Sequence, residues 1–206
     1  MAKKTKNVAS SSGAQTFEWH EHMRLRPVMY VGCIGDGSDC RDGIYYFIRS
    51  FLDSYVFEYK MRRGNRQIID VADDRISIRE FGLGIPFETI VNKAQYGMHC
   101  GMGCDTTDLH LLEYAFASAT STEFYVASLE DGVCFWARFS KGHLVERGSE
   151  ETSEENGALI NITPDKKVFH KFRFQEDIVR DILRSFVCQN KGLTIILNGA
   201  IVTDSF

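Results

Sequence analysis

The sequence predicts an α+β fold, a mixed and mostly antiparallel sheet with helices on one face. Three observations point there. Runs of alternating apolar residues come in blocks set apart by helical stretches, and do not alternate strictly with helices. The longest helical pattern, Gly43 to about Arg62, repeats Ile44, Phe47, Ile48, Phe51, Leu52, Tyr55, Val56 and Tyr59 on one broad face. Short turn pairs, Asp73-Asp74, Asp131-Gly132, Lys141-Gly142 and Asn198-Gly199, link strand-like runs into hairpins.

Taken in order, residues 1–15 are small and polar and read as an arm. A short helix spans Phe17 to about Arg24 and ends before Arg26-Pro27, because proline drives its predecessor out of the helical region. "MYVGCIGDGSDCRDG" reads as a Gly/Asp loop leading into the long helix, whose basic end "KMRRGNR" suits a C-terminus capped by Gly64. "RQIIDVADDRISIREFG" is a hairpin, followed after Pro86 by a helix to about Tyr96. "GMHCGMGCDTTD" is a loop and Leu109 to Ser118 a second core helix. A three-strand meander then covers "TEFYVASLEDGVCFWARFSKGHLVE". "EETSEENG" reads as an acidic loop and "ALINITPD" as a strand. A helix from Gln175 to Gln189 puts Ile178, Ile182, Leu183 and Phe186 on one face, and "LTIILNGAIVTD" closes as a hairpin.

Composition narrows the function. A chain of 206 residues with 44% hydrophobic and 25% charged content reads as one soluble domain. A formal charge of −4 leaves no global footprint for nucleic acid, and the basic residues gather at Lys3–Lys6 and Lys60–Arg66. There is no membrane span and no secretory leader, so the expected compartment is cytoplasmic. The six cysteines include no Cys-x-x-Cys pair and read as reduced thiols. His99, Cys100, Cys104 and His110 match no common zinc spacing, so no metal site is expected.

"HMRLRPVMYVG" resembles the "RKRPGMYIG" segment that opens the ATPase domain of gyrase and topoisomerase IV B subunits. The match runs without gaps through "GDGSDCRDGIYYFIRSFLDSYVFEYKMRRG". "ISIREFGLGIP" sits where the family has a strand ending in Asp-x-Gly-x-Gly-Ile-Pro. "FSKGHLVE", "NGALINITPD" and "NKGLTIILNG" resemble, in order, the later strands of that domain. The resemblance covers about Ser10 to Gly199 and implies the Bergerat (GHKL) two-layer sandwich over residues 16–206. No counterpart of the family's transducer, Toprim or DNA-gate domains is expected within the chain, which alone is not expected to pass one duplex through another.

The resemblance also assigns roles, and the residues depart from them. The family's general base falls on Ser50, whose hydroxyl is not a base near neutral pH. Its Mg²⁺-ligating asparagine falls on Ser54, a shorter oxygen ligand, and an expected aspartate is Phe57; Asp53 and Glu58 match. The adenine-binding aspartate is Glu80, one methylene longer, while Gly82, Gly84, Ile85 and Pro86 are retained. Gly82 and Gly84 serve equally well as nucleotide contacts or as backbone necessities of a tight turn. The phosphate loop falls on Asp108 to Glu113, keeping Leu109 and His110 but replacing its three glycines with Asp108, Leu111 and Glu113. Acidic groups there oppose polyphosphate by roughly 1–4 kcal/mol per charge pair in wet surroundings. A rival placement, Gly97 to Gly103, restores glycines but shortens the lid before it. The family's late-strand threonine is Ala158.

The expectation is therefore a degenerate, non-hydrolysing relative of the ATPase domain, a pseudoenzyme acting as a binding or regulatory module linked to DNA topology. It would have no catalytic residue, no metal and no required cofactor, with ATP and Mg²⁺ entering only if the site still works. One alternative is a working ATPase domain with Asp53 or Glu58 as base. Another is an interaction protein that mimics and pairs with the active subunit. Expected partners are a second copy or a topoisomerase subunit, with weak or indirect DNA contact. The arm carries no tyrosine before Phe17 to reach a partner's nucleotide, so any dimer is expected to form independently of ATP.

Overall fold

The computed structural model describes residues 17–97 and 111–204. One eight-stranded sheet runs in the order β5-β4-β3-β6-β2-β1-β7-β8. Its strands are β1 (Arg66–Ala72), β2 (Arg75–Phe81), β3 (Ser121–Glu130), β4 (Val133–Ser140), β5 (His143–Glu151), β6 (Gly157–Pro164), β7 (Thr194–Leu197) and β8 (Ala200–Ile201). Every neighbouring pair is antiparallel except β1 and β7, which run parallel with Arg66 opposite Thr194. The α+β class and the mixed, mostly antiparallel sheet are as the sequence predicts.

The helices are α1 (Trp19–Leu25), α2 (Val28–Val31), α3 (Tyr46–Lys60, entered through a 3₁₀ turn at Gly43–Tyr45), α4 (Phe87–Tyr96), α5 (Leu112–Thr120), α6 (Lys166–Phe169) and α7 (Glu176–Gln189). The face of α3 read from spacing is the buried one: Phe47, Ile48, Phe51, Leu52, Tyr55 and Val56 all join the main core. They meet the inward sheet residues Ile69, Ile76, Ile78, Val126, Phe139, Ile160 and Ile162. Phe116 of α5 joins the helices at the centre, with ring centroids 4.9 Å from Tyr46, 5.4 Å from Phe47 and 6.3 Å from Phe169. A smaller apolar cluster of Ala127, Leu129 and Cys134, flanked by Tyr125, Trp136 and Leu159, forms a second apolar group on β3, β4 and β6. Among the described residues no helix is long and apolar enough to cross a membrane.

Three local expectations need correction. Val28–Val31, within and just before the expected Gly/Asp loop, is a helical turn begun at Pro27, whose fixed φ suits a helix start. Part of the expected acidic loop is strand, because β5 continues to Glu151 by backbone pairing with β4 while its side chains stay in water. The four-residue α6 gives no periodic signal; Asp165 caps it by accepting a hydrogen bond from Lys167 N at 2.8 Å.

Asp165 also accepts from Arg24 Nη2 at 2.5 Å, while Arg24 Nη1 donates to the Ala119 carbonyl at 2.9 Å. This joins α1 to the end of α5 and the start of α6. The Asp165 side chain is only 4% exposed, so removing it strands a partly buried guanidinium. Asp165→Ala is expected to cost about 3 kcal/mol, measured by urea unfolding at neutral pH; a loss below about 1 kcal/mol, the range of surface pairs, would contradict this role.

Candidate functional site

The site lies where α3 crosses the ends of β1 and β2. Tyr55 holds these parts together: its hydroxyl oxygen lies 2.7 Å from both the Arg66 and Phe81 carbonyl oxygens and accepts from Arg66 N at 3.0 Å. The chain after β2 is locked by backbone. Gly82 has φ +147°, and an added Cβ would stand 2.1 Å from the Arg63 carbonyl oxygen. Gly84 has φ +69°, a left-handed conformation that favours glycine. Both glycines of "EFGLGIP" thus have backbone reasons to be there. Pro86 precedes the first residue of α4.

Glu80 sits at the inward-pointing register of β2, opposite Gln67 on β1 and Ala158 on β6. Gln67 is fully buried and its Nε2 donates to Glu80 Oε1 at 3.0 Å. Part of Glu80 remains accessible, but its carboxyl is enclosed deeply enough that desolvation pushes its pKa up to about 8. The hydrogen bond from Gln67 opposes this rise, and the charges of Glu113 and Glu58 add to it.

Glu113 stands in the first turn of α5 and is 5% exposed. Burial raises its carboxyl to about 7, opposed by hydrogen bonds from its own backbone N–H and from Ser54. A carboxylate therefore occupies the helix N-terminus, the place where backbone donors and the helix dipole favour an anion. Glu58 pairs with Arg63 at 3.5 Å. Among the described residues, three buried acceptor atoms, Glu58 Oε2, Gln67 Oε1 and Glu113 Oε1, find no hydrogen-bond partner.

Two cavities border this cluster. A narrow one of about 10 Å³ is lined by Ser54, Glu58, Arg63, Glu80, Gly82 and Gly84, with Ile85 among its other walls. It has room for about one water molecule. An open cleft of about 580 Å³ runs along α3 to α5 past Ser50, Asp53, Ser54, Phe57, Lys60 and Glu113. Of the sequence-predicted positions, Ser54, Glu80, Gly82, Gly84 and Ile85 meet at the narrow cavity. Ser50 faces the open cleft, with its hydroxyl donating to the Phe47 carbonyl of its own helix at 3.2 Å. Ala158 is buried beside Glu80 without lining either cavity. His110, and with it most of both placements of the phosphate loop, lies outside the described residues, as do His99, Cys100 and Cys104; Gly97 ends α4.

Gln67 escapes a reading of the sequence, although it shares the inward parity of Ile69 in "RQIIDVA"; a glutamine at that parity is the available signal. Glu113 stands out in the sequence for its charge, but its burial against Ser54 follows only from where α5 begins.

No protein-family model matches the chain. It is 33% identical to the DNA topoisomerase 4 B subunit of Borreliella burgdorferi over 189 residues, covering 88% of this chain and 31% of that protein. It is 28% identical to the DNA topoisomerase 4 B subunit of Enterococcus faecalis, covering 96% of this chain and 30% of the relative. Against the DNA gyrase B subunit of Mycolicibacterium smegmatis it is 26% identical, with 98% and 32% covered. The chain thus spans about a third of the length of these curated relatives. The fold matches the 43K ATPase domain of Thermus thermophilus gyrase B, solved with an aminocoumarin, at a TM-score of 0.69 and 20% identity over 86% of this chain and 48% of that one.

The two raised carboxyls set a pH dependence. In the unfolded chain each ionises near its ordinary value of 4.5, whereas in the fold each holds its proton to about 8 (Glu80) or about 7 (Glu113). Between those values the native state binds more protons at these two groups, so their contribution to stability is fully present below about 4.5 and is lost as pH rises to 8. Glu80→Gln, which stays neutral, is expected to remove much of this slope. It should melt at least about 2 °C above the parent at pH 8.5, the shift equivalent to roughly 1 kcal/mol for a domain of this size, and close to it at pH 5. Parallel melting curves of the two proteins across that range would refute the assignment.

Proposed function

Because this chain is a homologue of the topoisomerase IV and gyrase B subunits over a segment with the GHKL ATPase-domain fold, we propose that it is a degenerate member of that group. In this reading it does not hydrolyse ATP and serves as a binding or regulatory module linked to DNA topology. The observation that carries the proposal is the cluster of the protein's own buried carboxyls at the inner wall of the cleft. Glu113 occupies the helix N-terminus beside Ser54, and Glu80 and Glu58 close on a cavity of about 10 Å³.

The residues present do not fit a Mg²⁺–nucleotide. A purine cannot enter a space the size of a water molecule without displacing the β2–α4 turn, whose backbone is held by the Leu83 N–H donating to the Arg63 carbonyl at 3.0 Å. A triphosphate brought to the start of α5 would meet the buried Glu113 carboxyl, which already engages its own backbone N–H. Ser50 stands where the resemblance puts the base, and its hydroxyl is engaged by its own helix. Ser54 offers one hydroxyl oxygen to a cation that seeks six. In this reading the partner is a second copy or a topoisomerase subunit, joined without nucleotide.

A working ATPase is the second reading, and one observation favours it. Glu113, with a pKa near 7, lies on the wall of the 580 Å³ cleft and has the acidity of a general base poised at neutral pH. The two readings separate in one experiment on the purified chain. Phosphate release with ATP and Mg²⁺ is expected to stay at the protein-free background, and a non-hydrolysable ATP analogue at millimolar concentration is expected to leave the melting temperature unchanged, whereas saturation at a hundred times Kd would add about 2.7 kcal/mol. Mg²⁺-dependent hydrolysis that disappears in both Glu80→Ala and Glu113→Gln would overturn the proposal.

A further inference from the structure

A groove on another part of the molecule, bounded by α1, the end of α4 and the β4–β5 turn, plays no part in the cleft. Its volume is about 440 Å³, and Glu18, Trp19, His20, Gln95, Tyr96 and His143 are among its walls. Packing fixes its shape. The Trp19 indole lies against the backbone at Gly97, where an added Cβ would come within 2.6 Å of Cδ2. The Cβ of His20 leaves similarly little room over Gly142, at 2.4 Å. One turn along α1, Met23 is buried in the core and Arg24 is tied to Asp165. The helix cannot slide, and the His20 imidazole is presented at a defined place.

There it meets His143, the first residue of the edge strand β5. The two ring centroids are 4.6 Å apart, with planes at 69°. Neither ring is needed to fill the core: His20 is half-buried and His143 exposed. Two imidazoles at this distance resist double protonation, and a neutral imidazole offers a lone pair. Desolvation and the neighbouring His143 lower the pKa of His20, against the opposing pull of Glu21 and Glu18, with Arg24 adding to the lowering. Ring centroids this close allow one nitrogen from each ring to reach about 2.0–2.1 Å from a shared ion once the exposed His143 ring turns out of its edge-to-face contact. Imidazole donors suit the borderline ions zinc, copper and nickel and not magnesium or calcium.

We propose that His20 and His143 form a two-imidazole site for a divalent transition-metal ion, which clamps α1 to the β4–β5 turn. Among the described residues no set of three or more histidine, cysteine, aspartate or glutamate side chains stands ready to hold a metal. In this site water completes the shell, and the ion exchanges freely. Glu18 lines the same groove and adds negative charge, although its side chain is engaged in the capping box of α1. The other charged groups that act on His20 are Glu21 and Arg24 on α1.

The test is a ZnCl₂ titration of the full chain by calorimetry, with melting curves taken in parallel. Zinc is expected to bind at pH 7.5 and raise the melting temperature, to bind much more weakly at pH 5.5 where protons compete, and to have no magnesium counterpart. His143→Ala changes an exposed residue and should leave the metal-free melting temperature close to the parent's while weakening zinc at least tenfold. His20→Gln should show the same loss of zinc affinity without emptying the contact with Gly142. Absence of zinc binding, or binding of equal strength in His143→Ala, overturns the proposal; the latter result would place the metal on other groups, such as His99, Cys100, Cys104 and His110.

Discussion

A single phenolic hydroxyl sets the geometry of the cleft. Tyr55 reaches from the middle of α3 to the last residue of β2 and the first of β1, and its oxygen contacts the Arg66 and Phe81 carbonyls and the Arg66 N–H. Desolvation raises its pKa to about 12, so it stays a donor under all ordinary conditions. Because Tyr55 is flanked by Ser54 and lies one turn from Glu58, this node fixes where one wall of the cleft stands relative to Glu80 on the other. Gly64 completes it: an added Cβ there would lie 2.2 Å from the Phe81 carbonyl oxygen and 2.8 Å from the Tyr55 hydroxyl. The helix-to-strand connection can pass so close only without a side chain.

Within that frame the electrostatics are unusual for an interior. Buried acids are normally neutralised by a paired cation or by several donors. Here Glu80 has one donor among the described residues, Gln67, and Arg79, whose charge also acts on it, is spent elsewhere. Arg79 donates to the backbone carbonyls of Glu80 and Glu155, lies 4.4 Å from the Phe81 ring centroid and pairs with Glu154. Arg66 covers the Phe81 ring at 3.8 Å and pairs with Glu155. Arg66 and Arg79 thus pin the β5–β6 loop over the end of β2, and Arg63 is paired with Glu58. Protons are left to do the neutralising, in keeping with the raised pKa values of Glu80 and Glu113.

Much of this was legible in the chain. The apolar spacing of α3, the Asp73-Asp74 turn and the meander all rest on local periodicity and turn chemistry, which act at the scale of a few residues. The ordered motifs from "HMRLRPVMYVG" to "NKGLTIILNG" identified the fold, and the list of altered positions followed from them. What was not legible depends on distance through space. Glu113 appears in the sequence as a surface-type charge; only the start of α5 against Ser54 makes it a buried one. The glycines of "EFGLGIP" are ambiguous until the approach of Arg63 to Gly82 is seen. The pairing of His20 with His143 could not be read from spacing at all, and the short helices α2 and α6 are too brief for periodicity to register.

The parallel seam between β1 and β7 bears on how the molecule is made. Arg66 to Ile69 lie beside Thr194 to Leu197, so a strand formed early in synthesis waits for one of the last. Until then β1 is paired on one side only, and the Asn65 carbonyl and the Val71 N–H lack the partners that Thr194 and Asn198 supply. Contacts so distant along the chain are slow to form, because the entropy of closing the loop is lost before any pairing is gained. During translation the nascent sheet therefore presents an apolar edge, Ile68 and Ile69, that stays open until the ribosome has released nearly the whole domain. Pairing of that edge with the wrong strand is the hazard built into this topology, and the seam can be closed correctly only once β7 has been made.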